Sequence, residues 1–150
     1  MLFRSWIGCG TGSLGHIKAQ RDLSFLGVSD YALLLPGVSC GAAAIRQLNV
    51  MACLSREDPG PVVTLEAGAM AIPSVCFEHC GGISELASLG YSVAVDYLDI
   101  EAFARALFEL SKDRELLRVL GQRFQDHVFS TNTLEVQGPQ IARLISNCTS

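Results

Sequence analysis

Two carboxylates, Asp58 and Glu66, stand eight positions apart in the stretch Ser55-Arg56-Glu57-Asp58-Pro59-Gly60-Pro61-Val62-Val63-Thr64-Leu65-Glu66-Ala67. A helix start offers unpaired N–H groups and a partial positive charge, which suit a phosphate. Six residues of helix from Gly60 to Glu66 cover about 9 Å at ~1.5 Å rise per residue. Two carboxylates so placed can flank a bound diphosphate, each accepting hydrogen bonds from sugar hydroxyls. The competing reading is structural: Asp58 caps a buried helix and Glu66 pairs with an Arg or Lys. Spacing alone leaves both open.

The elements that must position these acids are a strand before them and a helix after them. Val50 to Leu54 is a short apolar run of strand length, and Val62 to Met70 is apolar and small at helical spacing. Proline is tolerated in the first turn of a helix, where its missing N–H has no partner to lose. The order is therefore strand, acidic turn, helix start.

The frame Ser-Arg-Glu-Asp-Pro-x-Pro-x-Val-x-Leu-Glu-Ala is followed by Ile72-Pro73-Ser74-Val75 and Gly81-Gly82-Ile83-Ser84-Glu85. Together they resemble the donor-binding, C-terminal domain of retaining GT-B glycosyltransferases of the group-1, family-four class. That class carries two acids separated by seven residues in a frame like E-x-F-G-x-x-x-x-E-A, and Asp58 and Glu66 fall on the two acidic positions. The resemblance covers nearly the whole chain. It implies a retaining, metal-independent, hexosyltransferase-like enzyme that takes a nucleotide-diphosphate sugar as substrate and needs no further cofactor. Asp58 would hold hydroxyls of the transferred sugar and Glu66 the ribose. Gly60 and the Val62 and Val63 amides would face the distal phosphate. Gly81 and Gly82 would let backbone approach the ligand, and Glu85 resembles the acid of the family's G-G-x-x-E element. The segment closing at Pro36-Gly37-Val38 resembles one whose backbone meets the nucleobase, which assigns Val38 to the donor site. From the residues alone, Val38 is equally an ordinary strand-to-loop turn, and Gly81-Gly82 a plain left-handed turn with no ligand.

The chain also departs from that family. A GT-B enzyme has two such domains with the donor between them, and 150 residues hold only one. No glycine-rich opening strand with its following Arg and Lys precedes Phe3, so the first strand and the cationic clamp on the diphosphate are missing. Gly60 stands where the family carries an aromatic residue. The expectation is a single nucleotide-sugar-binding domain over residues 1–150, truncated at its N-terminus and inactive in isolation. Its acceptor domain would be supplied in cis or in trans. The alternatives are a non-catalytic nucleotide-sugar-binding module, one half of a two-chain transferase, or a fragment with no role of its own.

Composition limits the rest. At 49% hydrophobic residues the chain can build a sizeable core, and only 17% charged residues suggests segments covered on both sides, as in a parallel sheet. Net charge is −4 with no basic block, which argues against nucleic acid as a partner. No apolar run reaches roughly 18 residues, so no membrane span is expected; peripheral membrane contact would come only through the missing part. The start, Met1 to Gly8, lacks an apolar h-region and is not read as a signal peptide. Cys9, Cys40, Cys53, Cys76, Cys80 and Cys148 contain no Cys-x-x-Cys pair, so no metal site is assigned and reduced thiols in a cytoplasmic protein are expected. His79 reads as structural.

In chain order, the periodicity predicts a strand over Leu2–Ile7 and a glycine loop through Ser13 in the order G-x-G-x-G, which is not a phosphate-loop pattern. It then predicts a helix over His16–Leu26 with Ile17, Leu23 and Leu26 inward and Gly27 as its stop. A buried strand over Tyr31–Leu35 and a small-residue helix over Cys40–Leu48 follow. Beyond the acidic stretch come a strand over Ser74–Phe77, a helix over Ile83–Leu89 and a strand over Tyr91–Val95. Asp99 and Asp113 are predicted to cap helices burying Phe103, Leu107 and Leu110, then Leu116, Leu117, Leu120 and Phe124. Gly138-Pro139 is predicted to interrupt the last helix, near Ile145 at its end. Strand–helix alternation of this kind predicts an α/β, Rossmann-like parallel sheet with helices on both faces and the ligand at the carboxyl ends of the strands.

Overall fold

The computed structural model describes residues 4–148, which form two compact units divided after Ile45. Leu2 and Phe3 of the predicted first strand lie outside the described residues.

The first unit contains β1 (Arg4–Ile7), α1 (Leu14–Phe25), a 3-10 turn (Ser29–Tyr31), β2 (Ala32–Leu35) and α2 (Gly41–Ile45). The strands pair in parallel, with Arg4 opposite Ala32 and Ile7 opposite Leu35. The glycine loop is tied to the end of β2, because the Gly8 and Cys9 amides both donate to the Leu35 carbonyl, at 3.1 and 3.0 Å. Ser13 caps α1 by accepting from the His16 amide at 3.2 Å, and Gly27, at φ +66°, stops it as predicted. The buried face of α1 differs from the prediction. Ile17 and Leu26 are 54% and 67% exposed, whereas His16 is buried and Leu23 half-buried. At 100° per residue, Ile17 and Leu23 point about 120° apart, too far for both to sit at the centre of one buried stripe. The stripe that does form runs His16, Ala19, Leu23, and Leu26 lies beyond the last helical residue. Tyr31 belongs to the 3-10 turn rather than to β2, whose residues are mostly half-buried. The small-residue helix is five residues long, ending at Ile45, the only buried side chain in it.

The second unit contains β3 (Met51–Cys53), α3 (Val62–Ala69), β4 (Ser74–Phe77), α4 (Gly82–Ser88), β5 (Val93–Val95), α5 (Ile100–Lys112), α6 (Arg114–Thr131) and α7 (Leu134–Cys148). The sheet order is β3-β4-β5, all parallel, with Cys53 opposite Cys76 and Cys76 opposite Ala94. Every residue of β4 is buried, as a central strand with both faces covered must be. Phe77 turns toward α5, its ring 5.1 Å from that of Phe103 and 6.3 Å from that of Tyr97. Side chains alternate along a strand, so Ser74 and Cys76 face the other side. Right-handed crossovers place α3 and α4 on that side. α6 follows them there, resting Phe124 on Gly68 of α3.

The predicted caps are in place: Asp99 accepts from the Ala102 amide and Asp113 from the Leu116 amide, each at 2.8 Å. Leu116 itself is exposed, against expectation. Its neighbour Leu117 takes the inward position, and two adjacent helical residues 100° apart cannot both do so. Nor does Pro139 interrupt α7, which runs unbroken from Leu134 to Cys148. Pro139 sits early in the helix, where its missing N–H removes a single bond, that to the Glu135 carbonyl.

Candidate functional site: the acidic turn and the start of α3

After β3 the chain passes the carboxyl edge of the sheet and turns at Asp58. The Asp58 amide donates to the Cys80 carbonyl at 2.8 Å, and Asp58 forms a parallel bridge with Gly81. The ladder between β3 and β4 thus resumes beyond both strands, at a single parallel bridge. The half-buried Asp58 side chain also accepts from the Gly60 amide at 3.1 Å, closing a local turn around Pro59.

The glycine pair answers to this turn. Gly81 has φ +112° and ψ −152°, a region only glycine occupies comfortably. A Cβ on Gly81 would collide with the Asp58 carbonyl, and one on Gly82 would lie 2.7 Å from the Pro59 oxygen. The close backbone approach at Gly81-Gly82 is therefore made to the acidic turn itself.

The turn delivers the chain into α3, whose N-cap is the buried Pro61. Proline has no side-chain acceptor, and no side chain caps this helix. The Thr64 amide and hydroxyl both donate to the Pro61 carbonyl, at 3.0 and 2.6 Å. The Val62 and Val63 amides have no partner among the described residues, and these residues are 66% and 45% exposed. Orphan amides at an exposed helix start carry the positive end of the helix dipole. Glu66, one turn further on, is exposed and forms no ion pair or hydrogen bond among the described residues. Asp58 likewise bonds Gly60 rather than an amide of α3.

The far end of α3 is held by α6. The Phe124 ring would lie 2.9 Å from a Cβ on Gly68, and a Cβ on Gly121 would collide with the Ala71 carbonyl. Gln125 Nε2 donates to the Ala69 carbonyl at 2.8 Å. The burial of Phe124 was legible from the helical period, but neither Gly121 nor Gln125 carried a signal, and nothing near any of the three in the chain shows what it touches.

Three buried thiols, Cys53, Cys76 and Cys80, lie beneath the site. Burial pushes the Cys76 thiol up to about 12, with Cys80 beside it adding to the rise. Burial likewise raises Cys80. Both are therefore protonated thiols, poor nucleophiles and poor metal ligands. Among the described residues no group of three His, Cys, Asp or Glu side chains could hold a metal ion. His79 is exposed at φ +57° and bonds nothing among the described residues. The second unit gathers Asp58, Gly60, Val62, Val63, Gly81 and Gly82 at one end of its sheet; Val38 belongs to the first unit, where it is exposed after β2.

A parallel sheet sandwiched by helices, with an acidic turn and an open helix start at its carboxyl edge, defines an α/β protein of Rossmann-like type. The pattern of the family described as Glycosyl transferases group 1 matches residues 21–127, and the chain belongs to that family. Among solved structures it is similar to sucrose-phosphate synthase from Thermosynechococcus elongatus, with a TM-score of 0.83 at 18% identity over 97% of this chain and 38% of that one. It is similar to Anabaena HepE in complex with UDP, with a TM-score of 0.86 at 17% identity over 97% of this chain and 41% of that one. The C-terminal domain of LpcC, a group 1 glycosyl transferase from Francisella tularensis, gives 0.69 at 15% identity, over 79% of this chain and 62% of that one. At these identities the likeness establishes the fold, the GT-B Rossmann-like layer. The chain spans about two-fifths of the length of the first two. No curated protein sequence matches it. No helix among the described residues is long and apolar enough to cross a membrane.

Proposed function

We propose that this chain is the donor-binding part of a retaining, metal-independent glycosyltransferase that moves a sugar from a nucleotide-diphosphate sugar to an acceptor. The observation that carries it is the pairing of Asp58, held at the sheet edge by Gly81, with the partnerless Val62 and Val63 amides. The amides take the distal phosphate and stabilise the diphosphate as charge develops on it in leaving. Asp58 holds hydroxyls of the transferred sugar and Glu66 the ribose. Gly60 gives the phosphate room, and Gly81 and Gly82 hold the acidic turn where the ligand meets it. Family membership supports this reading, as do the complexes of Anabaena HepE with UDP and with UDP-glucose. Retention of configuration rests on the family likeness alone. Buried free thiols suit a cytoplasmic location.

The acceptor site is proposed to come from a further domain, in cis or in trans, and the cationic clamp from the opening strand of this same domain type. The chain alone is expected to transfer no sugar and to bind a nucleoside diphosphate with a dissociation constant near or above about 1 mM, roughly −4 kcal/mol. A helix start contributes only about 0.3–1 kcal/mol to an exposed anion. Titration of the labelled chain with UDP, GDP and ADP, followed by amide NMR, tests this. Shifts centred on Val62, Val63 and Asp58 support it; binding that leaves all three unmoved overturns it.

A further inference from the structure

The first unit presents a helix face that the candidate site does not use. α1 turns His16, Ala19 and Leu23 inward, and the side opposite them carries Leu14, Ile17, Lys18, Arg21 and Phe25, all exposed. At 100° per residue these five fall within an arc of about 100°. Phe25 is 88% exposed, and Leu26 extends the apolar surface just past the helix. No acid lies in the arc. Asp22, which pairs with Arg21 at 3.1 Å, projects beside it, and so exposed a pair holds the guanidinium only weakly.

Charge is divided between the units in the same sense. Met1–Ile45 carries three cations (Arg4, Lys18, Arg21) against two acids (Asp22, Asp30), whereas the second unit carries eight against thirteen. The first unit is therefore the one suited to an anionic surface, and two of its three cations lie on this arc.

The mixture of side chains selects the kind of surface. The core of a protein interface is depleted of lysine, with charge kept to the rim. Here Lys18 and Arg21 stand among the apolar groups rather than around them. At a lipid surface that arrangement is favourable. The apolar groups enter the headgroup boundary while the cations reach back to lipid phosphates on their long stems.

We propose that the outer face of α1 is a peripheral contact surface for anionic lipid, with Leu14, Ile17 and Phe25 entering the bilayer boundary and Lys18 and Arg21 on the phosphates. Held to its unit by the inner stripe, the helix lies flat and spans about 18 Å of the surface. The contact needs no spanning helix, and it lies on this chain rather than on a further domain.

Flotation of the full chain with vesicles tests it, using phosphatidylcholine alone and equal parts phosphatidylcholine and phosphatidylglycerol. The chain is expected to rise with the anionic vesicles only, and to be released by high salt. Lys18→Gln with Arg21→Gln is expected to weaken binding about tenfold or more. Phe25→Ser is expected to weaken it at least about fivefold. These side chains are exposed, so the variants keep the fold. Ile141→Ser with Leu144→Ser, on the exposed apolar side of α7, is expected to bind as the parent does. The proposal is overturned by absent binding, by equal binding to both vesicles, by undiminished binding of the α1 variants, or by loss of binding in the α7 variant. A dimer that Phe25→Ser dissolves, with no vesicle binding, would assign the face to a second copy instead.

Discussion

Asp58 and Gly81 face each other across a parallel bridge that lies beyond the last residues of both their strands. The acid is thus placed by backbone hydrogen bonding rather than by a flexible loop. Its position depends on the residue opposite having no side chain.

Gly81→Ala is therefore expected to destabilise the chain by about 3 kcal/mol or more, combining a left-handed φ with a collision against the Asp58 carbonyl. Gly90→Ala is the control. Its φ is +80°, but nothing lies within 4 Å of a Cβ there, so only the backbone term of roughly 1–2 kcal/mol applies. Equal losses in urea melts of the two variants would remove the steric argument.

Asp58→Asn and Glu66→Gln, in an enzyme carrying both halves of the fold, are each expected to lower donor affinity or rate about 10- to 100-fold. That is the ~1.5–3 kcal/mol of a hydrogen bond to a charged group. Melting temperature should move little. An Asn oxygen can still accept from the Gly60 amide, and Glu66 is exposed and bonds nothing among the described residues. Unfolding of both variants with unchanged donor binding per folded molecule would return these acids to a structural role.

The raised Cys76 thiol makes stability fall in alkali. The folded chain holds this proton more tightly than the unfolded one. Its contribution is therefore intact below the ordinary thiol value of 9.0 and is lost as pH rises from there toward about 12. Urea midpoints under reducing conditions, at about pH 8 and about pH 10.5, should drop less for Cys76→Ala than for the parent chain. Identical drops would show that other groups carry the alkaline loss.

The crossing of α3 and α6 admits no added volume. Gly121→Ala is expected to cost about 1–3 kcal/mol, because the atom it meets is the Ala71 carbonyl, which cannot rotate away. Gly138→Ala in α7, whose Cβ would find its nearest neighbour 3.8 Å away, should instead stabilise by up to about 1 kcal/mol. Thermal melts of the pair would expose an error in either sign.

What local sequence can express, it expressed well here. Ser74–Phe77 behind Pro73 reads directly as a buried strand, and Asp99 and Asp113 as helix caps. The acidic turn and its glycine pair were legible as a unit, though not that Gly81 makes room for the Asp58 carbonyl and Gly82 for that of Pro59. Illegible were features settled by rotation or distance. Ile17 looks as apolar as Leu23, and Leu116 as apolar as Leu117, yet one of each pair must face outward. Gln125 meets Ala69 across a separation of 56 residues, and no period in the chain encodes such a meeting. His127 reads as an ordinary surface histidine until Tyr91 is found stacked on it.

The Gln125–Ala69 bond bears on how the protein is made. A ribosome delivers the acidic turn and α3 well before Gly121, Phe124 and Gln125. Until those residues emerge, α3 lacks the partner that covers Gly68 and ties down its last turn. The nascent chain thus carries Asp58 and Glu66 in their final order for dozens of residues of synthesis without the α6 contacts that hold the far end of α3. A chain stopped ahead of that helix therefore has both acids but lacks the contacts that hold the last turn of α3.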